Sequence, residues 1–293
     1  MSDETFDIFD AHIHFSQAYL DQGWECLDRC GVRGGVNLWA DAMPYGVFTS
    51  SYDEFLHMVS GPKWKHFVQF HWPHWKEFGW RPDEFVARVS YEIRHYAALG
   101  VTGMKVWKDL GLVIFHTDGT PARIDDDRLE PIWRTAQDVG WTIAVHTADP
   151  TRNFPGKWRT GLGREELFAR RDRVLAAHPK IHFHLCHGGN YAESVRKFSA
   201  LFDRFPNVTS EYIPSMLQFD PAEDVAAFIR DYADRITLGF DNGIPDDRPP
   251  DVPWTVEFYA EERQRLRSLK LDDETFRKLT WKTGERLFLK GKP

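Results

Sequence analysis

The sequence lacks three features, each of which would point to a different class of protein. Only three of its 293 residues are cysteine, an odd number that is too small for a disulfide framework. It contains no long uncharged apolar run, which argues against a membrane span. It has no excess of basic residues, because 37 Lys and Arg against 44 Asp and Glu give a net charge of −7. That balance argues against a nucleic-acid partner, since binding phosphates requires a basic face.

The first residues of the chain are acidic, where a secretory signal would be basic and then apolar. We therefore expect a cytoplasmic protein. The sequence is rich in aromatic residues and histidine, with 12 Trp, 22 Phe and 13 His. Aromatic side chains suit a large core or an aromatic-walled pocket, and histidines mark the positions where chemistry is expected.

Short β-rich runs alternate with amphipathic segments along the whole sequence. Apolar residues recur with helical spacing in these segments, as in Leu129, Ile132, Trp133 and Ala136. Eight strand–helix units fill a chain of this length, so the sequence predicts a single α/β domain, a (β/α)8 TIM barrel over residues 1–293. A final helix over 272–289 would close the ring, and a doubly wound open sheet is the competing architecture. The predicted strands are 6–15, 34–40, 66–72, 102–107, 142–147, 182–187, 208–213 and 236–241.

The end of the first predicted strand carries a candidate metal-binding pair. Asp10, His12 and His14 occupy alternate positions, so a regular strand would place all three on one face. Two imidazoles at that spacing can chelate one metal ion. In a histidine-rich sequence the same spacing can also arise by chance.

Other strand ends carry the same residue types. The fourth predicted strand ends near Lys105, the fifth in His146, the sixth in His187 and the eighth in Asp241. An unpaired histidine or aspartate is costly to bury, and a shared cation would offset that cost. Because the active site of a TIM barrel lies at these strand ends, the constellation predicts a metal site there.

The order of these motifs resembles that of the amidohydrolase superfamily, in particular its amidohydrolase-2 branch. That branch includes aminocarboxymuconate-type and resorcylate-type decarboxylases beside hydrolases. The resemblance runs from residue 6 to about residue 289 and implies that His12, His14, His146 and Asp241 hold a divalent metal ion. It further implies that His187 sits beside the metal as a catalytic or substrate-polarising group. In the expected reaction Asp241 is also catalytic, because it shuttles a proton to the leaving group. The matching motifs are Asp10-Ala11-His12-Ile13-His14, Gly103-Met104-Lys105, Val145-His146-Thr147, His187-Gly188-Gly189-Asn190 and Gly239-Phe240-Asp241.

Two positions depart from the family pattern. Phe240 stands where a small hydroxyl residue usually precedes the aspartate, which changes the expected hydrogen bonding around Asp241. Thr283 and Gly284 stand where the family usually has Asn-Ala, a difference expected to affect only barrel closure.

The implied ligand set suggests which metal is bound. Three imidazoles and one carboxylate suit zinc and would also accept iron, manganese or cobalt, so we expect one Zn²⁺. Binuclear members of the superfamily carry a carboxylated lysine at the position of Lys105, which leaves a second metal as an alternative. The amidohydrolase-2 branch commonly keeps this lysine with one metal, so we favour an ion pair or a substrate contact for Lys105.

The predicted activity is hydrolysis of a small, carboxylate-bearing lactone or amide. Lys105, Lys108 and Arg152 would form a cationic mouth with Lys157 and Arg159, although ordinary solvated loop charge is an equal alternative. We assign substrate binding to Lys105, Arg152 and Trp107.

The alternative functions are non-oxidative decarboxylation of an aromatic or unsaturated acid and, less favoured, a barrel that has lost activity. Metal-dependent deoxyribonucleases also open with His-x-His, but they carry a glutamate near the fourth strand. This chain has Lys105 there, which argues against that class. Members of the branch are often dimers, so a homodimer is one expected assembly.

Three further expectations concern residues near the predicted site. On a regular strand His187 would face away from His184, so its family role requires a bulge or turn at Cys186. Glu211 is expected either to hydrogen-bond a metal-ligating histidine or to join a buried ion pair. Asn190 is expected to cap the following helix, with Glu193 at capping-box spacing.

Overall fold

Parallel strands whose side chains are buried on both faces form the centre of the protein, as is typical of strands covered by helices. This computed structural model describes residues 6–15, 20–38, 63–70, 82–116, 118–154, 156, 158, 160–244 and 252–290. The strands are β1 (Ile8–Phe15), β2 (Val32–Asn37), β3 (Trp64–His66), β4 (Val68–Gln69), β5 (Gly103–Val106), β6 (Thr142–Val145), β7 (His182–Leu185), β8 (Val208–Tyr212), β9 (Ile236–Leu238) and β10 (Asn242–Ile244).

The sheet closes on itself through the third predicted strand. Its order is β3-β2-β1-β9-β8-β7-β6-β5-β4, and every pairing of these strands is parallel. Only Phe67 separates β3, which pairs with β2, from β4, which pairs with β5. The Phe67 amide donates to the carbonyl of Asn37 at 2.9 Å, so the two short strands are halves of one. The TIM barrel prediction is confirmed, and the open-sheet alternative is wrong.

Amphipathic helices surround the barrel. The predicted face of Leu129, Ile132, Trp133 and Ala136 is buried. Asp272 caps the last helix by accepting from two backbone amides, so this helix begins where the sequence predicts. The helices are α1 (Leu20–Arg29), α2 (Pro82–Ala98), α3 (Glu130–Asp138), α4 (Arg164–Ala177), α5 (Val195–Arg204), α6 (Ala222–Asp231), α7 (Val252–Ser268) and α8 (Asp273–Arg277), the last continued by π-helical turns at Lys278–Lys282 and Glu285–Leu289. No helix in the described part of the chain is long and apolar enough to cross a membrane.

The C-terminal helix fills the bottom of the barrel at the position where the family pattern changes. Phe9, Phe67 and Phe288 form one apolar cluster there. A β-carbon on Gly284 would overlap the ring of Phe9, so the glycine makes room for the phenylalanine. The hydroxyl of Thr283 donates to the carbonyl of Ala233 at 2.7 Å. The departure at these two positions therefore serves packing under the barrel.

Asp10 does not share a face with His12, so that prediction is wrong. The register of β1 against β2 shifts between Asp10 and Ile13, which breaks the alternation of side chains. The fully buried Asp10 carboxylate accepts from the amides of His12 (3.0 Å) and Phe240 (3.2 Å) and from the Tyr259 hydroxyl of α7 (2.8 Å). Burial raises the pKa of Asp10 to about 6, although these donors act against the rise.

The Tyr259→Phe substitution should destabilise the fold by about 1–3 kcal/mol, because a buried carboxylate loses one of its donors. Tyr232→Phe is a matched control, since its hydroxyl donates at 2.6 Å to the surface residue Asp203 and its loss should cost less than about 0.5 kcal/mol. Equilibrium urea denaturation measures both. Equal stability of the two variants would contradict the structural role of the Asp10–Tyr259 bond.

Candidate metal centre

His12 and His14, both on β1, face each other. Their Nε2 atoms lie 3.1 Å apart, and their ring planes are inclined at 73°. His12 is fully buried and His14 is nearly so. The two nitrogens that can bind a metal ion therefore face one point.

Asp241 supplies a third ligand atom at that point. It follows β9, and the next residues pair with β1, Asn242 opposite Ile13 and Gly243 opposite His14. The backbone of Asp241 has a positive φ of 54°, a left-handed conformation that is uncommon outside glycine. Its Oδ1 lies 2.9 Å from Nε2 of His14 and 3.1 Å from Nε2 of His12. These three side chains form a group with metal-ligand geometry.

The separations within this group fit a small divalent cation. Bonds of about 2.0–2.2 Å in a tetrahedral zinc site place neighbouring ligand atoms roughly 3.3 Å apart. The three observed separations are between 2.9 and 3.1 Å. Two imidazoles and a carboxylate are also a donor set that zinc, manganese and iron accept. The residues present therefore fit the metal that the sequence implies.

Lys105 lies beside the candidate metal ligands and not in the mouth of the barrel. It is almost fully buried, with Nζ 3.4 Å from Nε2 of His12. Its ammonium group donates to Sγ of Cys186 at 2.8 Å. The ring of Trp107 lies 5.7 Å from Nζ and 5.7 Å from the ring of His14. Two of the three predicted substrate-binding residues, Lys105 and Trp107, therefore lie beside the candidate ligand histidines.

His187 reaches the site through a left-handed turn. Strand β7 ends at Leu185, and His187, Gly188, Gly189 and Asn190 all have φ between 56° and 62°. This turn is the interruption that the role of His187 requires. It brings the His187 ring to a centroid distance of 4.9 Å from the ring of His12.

His146 lies against His187. Its Nδ1 is 3.3 Å from Nε2 of His187, while its Nε2 faces the carbonyl of Ala148 at 3.0 Å. The structure thus brings three of the four predicted ligands, His12, His14 and Asp241, around one point and places His146 next to the predicted catalytic histidine.

Asn190 holds the loop that carries His146. Its Oδ1 accepts from the amides of Thr147 (3.1 Å) and Ala148 (3.2 Å), and its Nδ2 donates to the Ala148 carbonyl (2.7 Å). The prediction that Asn190 caps the next helix is wrong, because Ser194 caps α5. The Asn190 side chain accepts instead from two buried loop amides, which require an acceptor.

Glu211 supports the centre from below. It is fully buried, and its Oε1 lies 2.8 Å from Nδ1 of His12 and accepts from the His187 amide at 2.6 Å. This contact is compatible with both alternatives expected for Glu211, because His12 is a candidate ligand and the two side chains form a buried ion pair when His12 is protonated. A β-carbon on Gly239 would overlap this carboxylate, which explains the glycine at that position.

The charges of the site are set by burial and by these contacts. Burial lowers the pKa of His14 and lowers that of His187 to about 4, so both offer a lone pair. Burial acts to raise the pKa of Asp241, but His12 and His14 outweigh it and hold that pKa well below its usual value. Burial acts to lower the pKa of His12, but the Glu211 carboxylate raises it well above the usual value. A cation at Nε2 of His12 would therefore compete with a proton.

A cavity of about 740 Å³ opens over the site between the loops that follow β6, β7, β8 and β9. Asp241, His146 and His187 form its floor, and Arg152 lies in its wall. Lys108 is paired with Asp149, with Nζ 2.5 Å from Oδ1, which neutralises part of the predicted cationic mouth. The predicted residues Lys157 and Arg159 lie outside the described residues.

Two features of the site were not predicted from the sequence: the contact of Cys186 with Lys105 and the requirement for glycine at Gly239. The available signal was positional, because Cys186 directly precedes His187 at a strand end and Gly239 lies two residues before Asp241. Neither residue type indicates such a role by itself, since the first is a weak acceptor and the second has no side chain.

Solved structures show the same fold at low sequence identity. A 2,6-dihydroxybenzoate decarboxylase from Rhizobium matches with a TM-score of 0.59 and 13% identity over 96% of this chain and 99% of its own. A probable 2-pyrone-4,6-dicarboxylic acid hydrolase from Acinetobacter baumannii matches with a TM-score of 0.58 and 12% identity over 97% and 99%. A manganese complex of 5-carboxyvanillate decarboxylase from Novosphingobium aromaticivorans matches with a TM-score of 0.58 and 14% identity over 92% and 79%. These likenesses establish the fold.

A comparison with curated proteins finds no match. The family model described as Amidohydrolase matches residues 73–289, which is about three quarters of the chain. That range includes the motifs of Lys105, His146, His187 and Asp241. The chain therefore belongs to the amidohydrolase family.

Proposed function

We propose that the protein is a metal-dependent hydrolase that opens a lactone or amide bond in a small, carboxylate-bearing molecule. The observation that carries this proposal is the convergence of His12, His14 and Asp241, whose ligand atoms lie 2.9–3.1 Å apart. One zinc ion would be held by these residues, with His146 as the fourth ligand. A bound divalent cation supplies hydroxide at neutral pH by lowering the pKa of water to about 7.

The chain's own residues divide the remaining tasks. The Asp241 side chain is 49% exposed and forms part of the cavity floor, so it can accept a proton and pass it to the leaving group. His187 faces the same cavity and would stabilise the carbonyl oxygen as it gains charge. Arg152 would bind the substrate carboxylate, with Lys105 and Trp107 beside the reacting group.

Non-oxidative decarboxylation of an aromatic or unsaturated acid is the second candidate. Structures similar to this chain include both a decarboxylase and a probable hydrolase, and the names of both refer to carboxylic acids. In this case Asp241 or His187 would protonate the carbon that loses carbon dioxide. The same cavity and the same Arg152 would serve either reaction, which favours an anionic substrate in both.

We also propose a cytoplasmic location. Cys26, Cys30 and Cys186 are all free thiols in the structure, as is usual in a reducing compartment. The homodimer implied by the family resemblance stays a prediction.

Removing a ligand should remove the metal. We expect the purified protein to bind about one equivalent of zinc. His14→Ala and His146→Ala should each lower zinc affinity by about tenfold or more. Mutating a residue that only supports a metal ligand already costs about tenfold in affinity, and loss of the ligand itself should cost at least as much. His95→Ala, on the outer helix α2, should retain full binding. Chelator competition with metal analysis measures this, and a His14→Ala protein with wild-type affinity would defeat the ligand assignment.

The Asp241→Asn substitution should lower kcat by about 10²–10⁴-fold, the usual contribution of a positioned proton-transfer group. Asparagine tolerates the left-handed backbone at this position, so the fold should be kept. Asp231→Asn, on the exposed end of α6, is the control. Assays with carboxylate-bearing lactones, amides and aromatic acids decide between hydrolysis and decarboxylation, and inactivity of the zinc-loaded protein on all of them would favour a barrel without activity.

Arg152 tests the substrate class. Arg152→Gln should raise KM for carboxylate-bearing substrates by about tenfold or more, because a hydrogen bond to a charged group contributes roughly 1.5–3 kcal/mol. Turnover of matched neutral esters or amides should not change. Lys197→Gln, at an exposed position of α5, is the control. Equal turnover of neutral and anionic substrates by the wild type would reject the anionic substrate.

A further inference from the structure

A line of polar side chains runs through the barrel interior beneath the candidate metal centre. His182 and His184 alternate along β7, and Thr209 and Glu211 alternate along β8, so each pair points to the barrel axis. Thr142 begins β6 opposite His182, and His184 pairs in register with Thr209. These five polar groups are therefore stacked on three adjacent strands.

Their atoms form a continuous chain that ends at His12. We call it the buried chain. The successive separations are 3.0 Å from Thr142 Oγ1 to His182 Nδ1, 2.7 Å from His182 Nε2 to Thr209 Oγ1, 3.1 Å from Thr209 Oγ1 to His184 Nδ1, 3.5 Å from His184 Nε2 to Glu211 Oε2, and 2.8 Å from Glu211 Oε1 to His12 Nδ1.

The longest of these separations joins a buried imidazole nitrogen to a buried carboxylate oxygen. His184 Nε2 and Glu211 Oε2 are both buried and face each other at 3.5 Å, and neither makes a hydrogen bond of regular geometry to any described residue. A buried donor or acceptor without a partner costs about 1–3 kcal/mol. We therefore assign the facing pair as a long hydrogen bond from His184 to Glu211.

The direction of every bond in the buried chain follows from this one. Burial lowers the pKa of His184 and lowers that of His182 to about 3, so each neutral ring carries one N–H. If the His184 proton is on Nε2, its Nδ1 must accept from the Thr209 hydroxyl. Thr209 then accepts from Nε2 of His182, and Nδ1 of His182 accepts from Thr142. All donors point towards Glu211.

We propose that the buried chain positions His12 for metal binding. Thr142, His182, Thr209 and His184 would fix one oxygen of Glu211, whose other oxygen holds the Nδ1–H of His12. The lone pair of His12 Nε2 is thereby kept on the side of His14 and Asp241. The chain members are positioning residues, and the inference rests on the proposed function in that a metal ion uses Nε2 of His12.

The test combines a spectroscopic signature with metal affinity. In ¹⁵N-histidine-labelled, zinc-loaded protein, long-range ¹H–¹⁵N spectra should show His182 and His184 with the proton on Nε2 and His12 with it on Nδ1. Glu211→Gln should weaken zinc binding by about 10–100-fold, and Thr209→Val by roughly tenfold, the range for residues that support a ligand. Signals are assigned by His182→Gln and His184→Gln.

The matched variants separate the hydroxyl of Thr209 from its packing. Thr209→Ser keeps the hydroxyl and should retain the His184 signature and near wild-type affinity. Thr237→Val, a buried threonine on β9 outside the buried chain, should change neither. If Thr209→Val does not fold, Thr142→Val breaks the far end of the buried chain and should still change the His182 signals.

Two results would overturn the proposal: a wild-type His184 with its proton on Nδ1, or a folded Thr209→Val protein with unchanged zinc affinity. Failure of the proposed function gives a different result. A wild-type protein that binds no zinc would contradict the proposed metal site, while spectra of the same metal-free protein would still show which nitrogens of His182 and His184 carry the proton.

Discussion

The hydrogen bond between Glu211 and His12 at the centre of the barrel is the interaction on which the site depends. A carboxylate buried this deeply is costly unless donors surround it. Nδ1 of His12 at 2.8 Å and the His187 amide at 2.6 Å supply them. The same contacts fix which nitrogen of His12 faces Asp241 and where the turn of His187 starts. One buried acid therefore orients a candidate ligand and a candidate catalytic residue.

The rim of the barrel carries its functional groups on a strained backbone. His187, Asn190 and Asp241 all adopt positive φ, which costs roughly 1–2 kcal/mol per residue outside glycine. The surrounding structure compensates. The fully buried Arg171 donates to the Gly189 carbonyl at 2.8 Å within the turn. The functional geometry is thus stabilised by contacts on the outer side of the rim.

Much of the fold could be predicted from the sequence, because eight β-rich runs and the helical faces between them carry strong periodic signals. The break of the third strand at Phe67 could not, since it depends on pairing with two different neighbours. Asp10 was placed on the wrong face for a similar reason, because a register shift is set by contacts across strands. The convergence of His12, His14 and Asp241 followed from barrel topology, whereas the position of His146 depends on a loop that Asn190 holds.

Phe240 shows how this chain replaces a polar contact by packing. Its ring packs at centroid distances of 5.9 Å from Phe258 and 5.3 Å from Tyr259 of α7, where the family pattern has a small hydroxyl residue. Its amide donates to Asp10, and Asp10 also accepts from the His12 amide and the Tyr259 hydroxyl. Asp10 therefore ties together the two strands that end in candidate metal ligands. Asp10 thus holds the backbones of these two strands from outside the barrel, while Glu211 orients the His12 side chain from inside it, so the position of His12 is fixed from both faces of the sheet.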